Sequence, residues 1–456
     1  MNRNQPISIE PLPINRRSLL KLGLASGAAA LATRYSFAAP AASPSRFVFI
    51  IMRGALDGLS AVPPYADPDY ARLRGELAIG APGGSDGALA LDGYFGLNPG
   101  LAFLQEAYAA RELLVMPAVA SAYRERSHFD GQDVLENGMT QPHASQSGWL
   151  NRALVHLPSA ARGGRQSGVA LAQNVPLVLR GSAEVASWSP SVLPDLDDDT
   201  MRRITERYAS DPLLSRRLAE ALDTDSEAAQ ARMPAQVAGQ AQVAGQAQAA
   251  GQAQAAGQAT PTSLASDATA GPPMTPALRS TAGRYTETVR TAAGFLRRED
   301  GPAVAVFDTT GWDTHFNEGG AQGQLRQRLA VLDQGLRTLK ESLAEVWPRT
   351  VVLLATEFGR TAAANGTRGT DHGTGSAAFL LGGAVAGGRV LVDWPGLSAR
   401  ALYQQRDLKP TLDLRSVMKS VLHDHLRIDS RAVDSEVFPD SRSAPYLAGL
   451  LRGHEA

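Results

Sequence analysis

The sequence predicts an α/β fold in three layers, with helices on both faces of a mostly parallel central sheet. Two observations carry this. Short runs of Val, Ile, Leu and Phe are apolar at every position, as strands buried on both faces are. They alternate with longer segments whose apolar residues recur every three or four positions, the mark of amphipathic helices.

The strong strands are Arg46–Met52, Leu113–Val119, Ala303–Phe307 and Val351–Ala355. Weaker ones are Gly168–Ala172, Val175–Leu179, Ala378–Leu381 and Val390–Val392. The clearest helix spans Gly323–Val346, with Leu325, Leu329, Leu332, Leu336, Leu339 and Leu343 on one face. Residues 197–300 read as a helical insertion, with charged helices at Asp197–Arg232 and Pro276–Arg298. Inside it, residues 234–275 carry a hexad repeat in which Gly239, Gly245, Gly251 and Gly257 recur in an Ala/Gln background. That segment lacks the bulky side chains needed to offset ordering entropy, so disorder is the expectation.

Residues 1–42 read as an address and not as fold. Arg16-Arg17 precede Ser18-Leu19-Leu20-Lys21 and a Gly/Ala-rich apolar run, and Ser36-Phe37-Ala38-Ala39 offers a cleavage site. This is the pattern of a twin-arginine export signal. It implies the twin-arginine translocase as a partner, periplasmic or extracellular residence, and no integral membrane segment after cleavage. Residues 43–456 are then expected to form a single α/β domain.

The 456 residues include 44 basic and 45 acidic groups, and cutting after Ala38 takes the net charge from −1 to −5. Nucleic-acid binding finds no support in that balance. The chain has no cysteine, which excludes disulfides, thiol nucleophiles and Cys-ligated metals. No P-loop occurs.

Ligands in such sheets gather beyond the carboxyl ends of the strands. After the first strand comes Arg53-Gly54-Ala55-Leu56-Asp57-Gly58, where Asp57 is either a metal ligand or a helix cap. After the second comes Arg124-Glu125-Arg126-Ser127-His128. Ser127 there is a nucleophile, a metal-facing hydroxyl or an N-cap, and Arg124 or Arg126 could clamp an anion. Asp313 and His315 follow Ala303–Phe307 and could reach one ion from extended backbone. Glu357 ends a buried strand, which is costly unless the carboxylate coordinates or is paired, for instance with Arg360. Asp371-His372 sit adjacent between glycines. Three of the eight histidines, His128, His315 and His372, thus fall in these loops beside an Asp or Ser. Imidazoles and carboxylates without thiols suit zinc, manganese or magnesium.

The ordered blocks Arg53-Gly54-x-x-Asp57-Gly58, Ser127-His128-Phe129-Asp130, Gly311-Trp312-Asp313-Thr314-His315, Thr356-Glu357-Phe358-Gly359-Arg360 and Asp371-His372-Gly373 resemble a bacterial family. It is catalogued as domain of unknown function 1501, looks like a distant branch of the alkaline phosphatase/sulfatase superfamily, and is typically exported. The resemblance implies an alkaline-phosphatase-like fold and a hydrolase of phosphate or sulfate esters. It implies one or two divalent metals, with Ser127 as nucleophile and Asp57, His128, Asp313, His315, Glu357, Asp371 and His372 as the ligand candidates. Arg124, Arg126 or Arg360 would meet the anionic ester. The alternative is a non-catalytic envelope protein that keeps the fold for glycan or partner binding. The superfamily's usual Asp-His pair after its strand is here Glu357-Phe358, so one imidazole is missing unless His128 replaces it.

Overall fold

A computed structural model describes residues 44–158, 166–190, 198–232 and 275–453. The twin-arginine segment at 1–42 and the hexad repeat, up to residue 274, lie outside the described residues.

The strands in chain order are β1 (Arg46–Arg53), β2 (Leu89–Ala90), β3 (Gly96–Leu97), β4 (Leu113–Ala120), β5 (Gly168–Ala170), β6 (Val185–Ser187), β7 (Val304–Thr310), β8 (Thr350–Ala355), β9 (Ser376–Leu381), β10 (Arg389–Val390) and β11 (Leu412–Asp413). The helices that matter below are α1 (Gly58–Ala61), α2 (Tyr70–Arg74), α3 (Ala102–Ala109), α4 (His128–Asn137), α5 (Trp149–Val155), α6 (Asp198–Tyr208), α7 (Pro212–Arg232), α8 (Pro276–Arg297), α9 (Gln324–Ser342) and α10 (Leu414–Asp424).

Nine strands form the central sheet, in the order β10-β4-β9-β8-β1-β7-β5-β6, with β11 also paired to β4. β1 lies in the middle, parallel to β7 on one side and β8 on the other. Only β9 runs against the rest; it is antiparallel to both β4 and β8. β2 and β3 form a separate two-stranded ladder.

Three layers follow from the strand period of two. In β1, Val48, Ile50 and Met52 join a core with residues of α3, α8 and α9. Phe47, Phe49 and Ile51 join a second core on the opposite face with α5 and α10. Nothing in β1 before Arg53 faces water, which is why Phe47–Met52 is apolar throughout, while the buried Arg46 donates to the Leu296 and Arg298 carbonyls. In α9, Leu325, Leu329, Leu332, Leu336 and Leu339 are buried as their spacing predicts. Gly335 lets α8 approach: a Cβ there would lie 2.1 Å from a ring carbon of Tyr285. Asp333 of α9 accepts the Phe103 and Leu104 amides at the start of α3, at 2.8 and 3.0 Å.

Several expectations change. Val175–Leu179 is not a strand: Pro176 introduces a 3₁₀ turn at Leu177–Leu179. The charged stretch 197–232 is two helices, broken where Asp211 caps α7 through the Leu213 and Leu214 amides. Within the expected insertion, α8 belongs to the outer layer, since Tyr285, Val289, Ala292, Ala293, Phe295 and Leu296 enter the core beside α9. Among the described residues, no helix is long and apolar enough to cross a membrane.

Because β9 is antiparallel, its start lies at the same end of the sheet as the finish of β8. The loops after β1, β4, β7 and β8 and the loop before β9 therefore share one edge. All five sequence blocks sit at that end, Ser127–Asp130 at the start of α4.

Candidate functional site

Three imidazoles and one carboxylate meet at that edge. His128 is the first residue of α4, His315 follows β7, and His372 precedes β9. The Nε2 atoms of His128 and His315 each lie 2.9 Å from Nε2 of His372. Asp313 sits among them, with carboxylate oxygens 3.5 Å from His128, 3.1 Å from His315 and 3.4 Å from His372. The ligand atoms of His128, Asp313 and His372 all fall within 4.8 Å of one another, and His315 adjoins this group. Tetrahedral bonds of ~2.0–2.1 Å would place donor atoms roughly 3.3 Å apart, close to these separations.

The other nitrogen of each ring identifies the tautomer. Nδ1 of His372 lies 3.0 Å from the Arg126 carbonyl, which only accepts, so Nδ1 carries the proton. Nδ1 of His128 donates to Glu357 at 2.8 Å, and Nδ1 of His315 to Asp371 at 3.2 Å. In the neutral rings all three Nε2 lone pairs then face one another and an anionic Asp313. Unbalanced, that arrangement is repulsive. Metal-binding histidines are oriented in this way, with the outer N–H held by a carboxylate or carbonyl. Asp313, Glu357 and Asp371 are opposed nearby by Arg360, which leaves about the charge that a divalent cation would neutralise.

The pKa directions differ between the rings. The Glu357 hydrogen bond raises the His128 imidazole, whereas burial and then the neighbouring His128 and Arg360 lower His372. Burial works to raise Asp313, but the Arg360 guanidinium outweighs it and holds the carboxyl below the usual range. Glu357 is fully buried and is likewise held down, by His128, Gln132 and the Gly54 amide against the cost of burial.

The glycines of the motifs explain themselves here. Arg360 and His372 form a β-bridge, with the Gly373 amide donating to the Gly359 carbonyl at 2.8 Å. A Cβ on Gly359 would lie 1.8 Å from the Gly375 carbonyl oxygen. Gly131 of α4 gives room to Phe358, whose ring packs 5.0 Å from that of His128. Phe358 thus serves as an apolar wall under two of the imidazoles.

Several predicted site residues have other work. Asp57 is not with the cluster. It caps α1 through the Leu59 and Ser60 amides and pairs at 2.5 Å with Arg74 of α2, both buried. Glu357 and Asp371 orient histidines and do not join the ligand group. Arg360 is buried, tied to Thr370 and to Asp313 at 2.6 Å, and so supports a ligand candidate. The Arg126 guanidinium is held by Asp407 and Gln404, while its carbonyl orients His372. Arg124 is spent on the Ser121 and Tyr123 carbonyls. Ser127 occupies the N-cap position of α4 but makes no capping bond, and its neighbour is the Tyr123 hydroxyl.

The sequence reading missed Glu318. This buried carboxylate accepts from Thr314 at 2.9 Å and Thr370 at 2.8 Å, residues that adjoin Asp313, His315 and Asp371 in the two loops. It thereby joins the His315 loop to the His372 loop. Asn317-Glu318-Gly319 carries no signal of that role. Phe129 and Phe316, each directly after a site histidine, are 87% and 61% exposed and flank the cluster in sequence.

A family model described as "Protein of unknown function (DUF1501)" matches residues 116–437. The chain belongs to that family. The DUF1501 match contains the blocks with Ser127, Asp313, Glu357 and His372 and begins after the block of Asp57, whose side chain stays outside the cluster while its Gly54 amide reaches Glu357. Comparison with curated proteins finds no match. Among solved structures, the chain is similar to one described as "Crystal structure of Ps i-CgsB in complex with k-i-k-neocarrahexaose". The identity is 11% and the TM-score 0.29, covering 75% of this chain and 66% of that one, just under two thirds of its length.

Proposed function

We propose that this DUF1501 protein is an exported, divalent-metal-dependent hydrolase of a phosphate or sulfate ester, similar to the alkaline phosphatase/sulfatase superfamily. The supporting observation is the convergence of three Nε2 atoms on Asp313 with every Nδ1 anchored from outside. His128, Asp313 and His372, with His315, would hold the ion, which suits zinc or manganese better than magnesium because three donors are imidazole. When bound, it would supply Lewis acidity to the ester and to water.

The chain's own residues have distinct tasks. Glu357 and Asp371 fix the rings, and Arg360 fixes Asp313. Ser127, whose hydroxyl is not spent on the helix, is the candidate nucleophile. Its oxygen would bond to phosphorus or sulfur as the leaving alcohol departs, its proton passing to solvent; water would then release the acid.

The test is turnover of para-nitrophenyl phosphate and para-nitrophenyl sulfate with added zinc, manganese or magnesium. Metal-dependent turnover abolished by Asp313→Ala is expected, and Ser127→Ala separates a serine nucleophile from water. A second reading, a binding protein that keeps the metal centre without catalysis, draws support from one fact. All three arginines expected to meet substrate are engaged within the protein. A panel of such esters with no turnover by metal-loaded protein would favour it.

A further inference from the structure

A cavity of about 670 Å³ lies between α8, α9 and the end of β7. That is the size of a small-molecule site, which typically spans ~300–1,000 Å³. Its wall includes Gly311 and Trp312, the two residues directly before Asp313. Apolar lining comes from Leu278, Val331 and Leu332.

The polar lining is unevenly satisfied. Asp308 is already paired with Arg53 at 2.5 Å. Arg328 is half-buried, has Gln324 at 3.3 Å as its side-chain partner, and has no carboxylate within ion-pairing distance among the described residues. Its guanidinium lies over Gly311, where a Cβ would be 3.2 Å from the guanidinium carbon. Burial lowers its pKa, the direction expected of a cation lacking a counter-charge. Tyr285, also in the wall, has a buried hydroxyl with no hydrogen-bond partner among the described residues. A half-buried cation without a carboxylate partner, in a cavity with apolar walls, points to an anionic occupant.

We propose that this cavity binds an organic anion, with its negative group on Arg328 and its apolar body against Leu278, Val331 and Leu332. The chemistry shared by the candidates is a sulfonate, sulfate, phosphate or carboxylate on an apolar or ring-bearing body. Two residues from Asp313, such a foothold would hold the part of an ester remote from the bond being cleaved. That substrate role rests on the metal-centre reading; binding of the anion does not.

The probe is 8-anilinonaphthalene-1-sulfonate, titrated by fluorescence into the purified full chain with and without chelator. One saturable site is expected, unchanged by chelator. Arg328→Gln weakens it at least tenfold, and Val331→Trp, which fills the cavity and leaves Arg328 in place, abolishes it. On the wild-type protein, benzenesulfonate should displace the probe and neutral benzenesulfonamide should not, which tests the charge without any variant. No saturable binding, equal affinity in a folded Arg328→Gln protein, or equal displacement by the two competitors overturns the proposal. Loss of binding on chelation also overturns it and moves the anion to the histidine cluster.

Discussion

Glu357→Gln is the sharpest perturbation of the site, because it removes a charge and almost nothing else. Oε1 accepts from His128 Nδ1 at 2.8 Å, the Gly54 amide at 2.8 Å and Gln132 at 3.2 Å. A glutamine oxygen fits there and keeps all three bonds. Oε2 faces the Thr356 hydroxyl at 3.0 Å, and that hydroxyl donates to the Met52 carbonyl, so it can accept from a glutamine NH₂. The fold should therefore survive with His128 in the same tautomer. What is lost is the carboxylate that makes Nε2 a stronger donor. Outer partners of this kind are worth ~10–100-fold in metal affinity, or about 1.4–2.7 kcal/mol. The assay is competition for zinc against a chromophoric chelator at pH 7.5, with thermal melting to confirm folding. Zinc affinity within twofold of wild type in a folded Glu357→Gln protein would refute the idea that Glu357 serves a metal through His128.

Other substitutions separate scaffold from site. Asp57→Ala should cost ~1–3 kcal/mol of stability, because it removes the α1 cap and the nearer of the two carboxylates facing the buried Arg74, leaving Glu318 at 3.6 Å, yet leave metal stoichiometry intact in the folded fraction; denaturant melts and metal analysis check this. Gly359→Ala forces apart the loops carrying Glu357 and His372, and should lower stability by ~1–3 kcal/mol and zinc affinity with it. Glu318 gives a pH signature. Burial and then the Asp57 carboxylate push its pKa up, so the stability it lends is fully present below the ordinary carboxyl range and is lost as pH rises through the raised value. Glu318→Gln should therefore melt higher than wild type at about pH 9, with the gap closing toward about pH 5; a gap that is constant with pH would contradict this.

The legible parts of the molecule were those where one force acts alone. β1, β7 and β8 are buried on both faces, and the run Phe47–Met52 shows it directly. Strands of two or three residues such as β6, β10 and β11 hold too few side chains to leave a pattern. α8 was readable as a helix but not as part of the core, because Thr and Arg dilute its buried face of Tyr285, Val289, Ala292 and Leu296. The three loop histidines come together, whereas the loop acids scatter. A loop carboxylate can cap a helix, pair with arginine or orient an imidazole, and Asp57, Asp313 and Glu357 do so in turn. Which role falls to which residue depends on partners far along the chain. Arg74 is 17 residues from Asp57, and Glu357 is 229 residues from His128.

The central claim is that His128, Asp313 and His372, with His315, form a divalent-cation centre. The direct measurement is metal content by mass spectrometry, on protein purified without chelator and then dialysed against trace zinc and manganese. The account predicts near one equivalent bound to wild type, and loss of most of it in folded His372→Ala and Asp313→Ala proteins. Wild-type protein that holds less than about a tenth of an equivalent, or variants that retain the full complement, would contradict it.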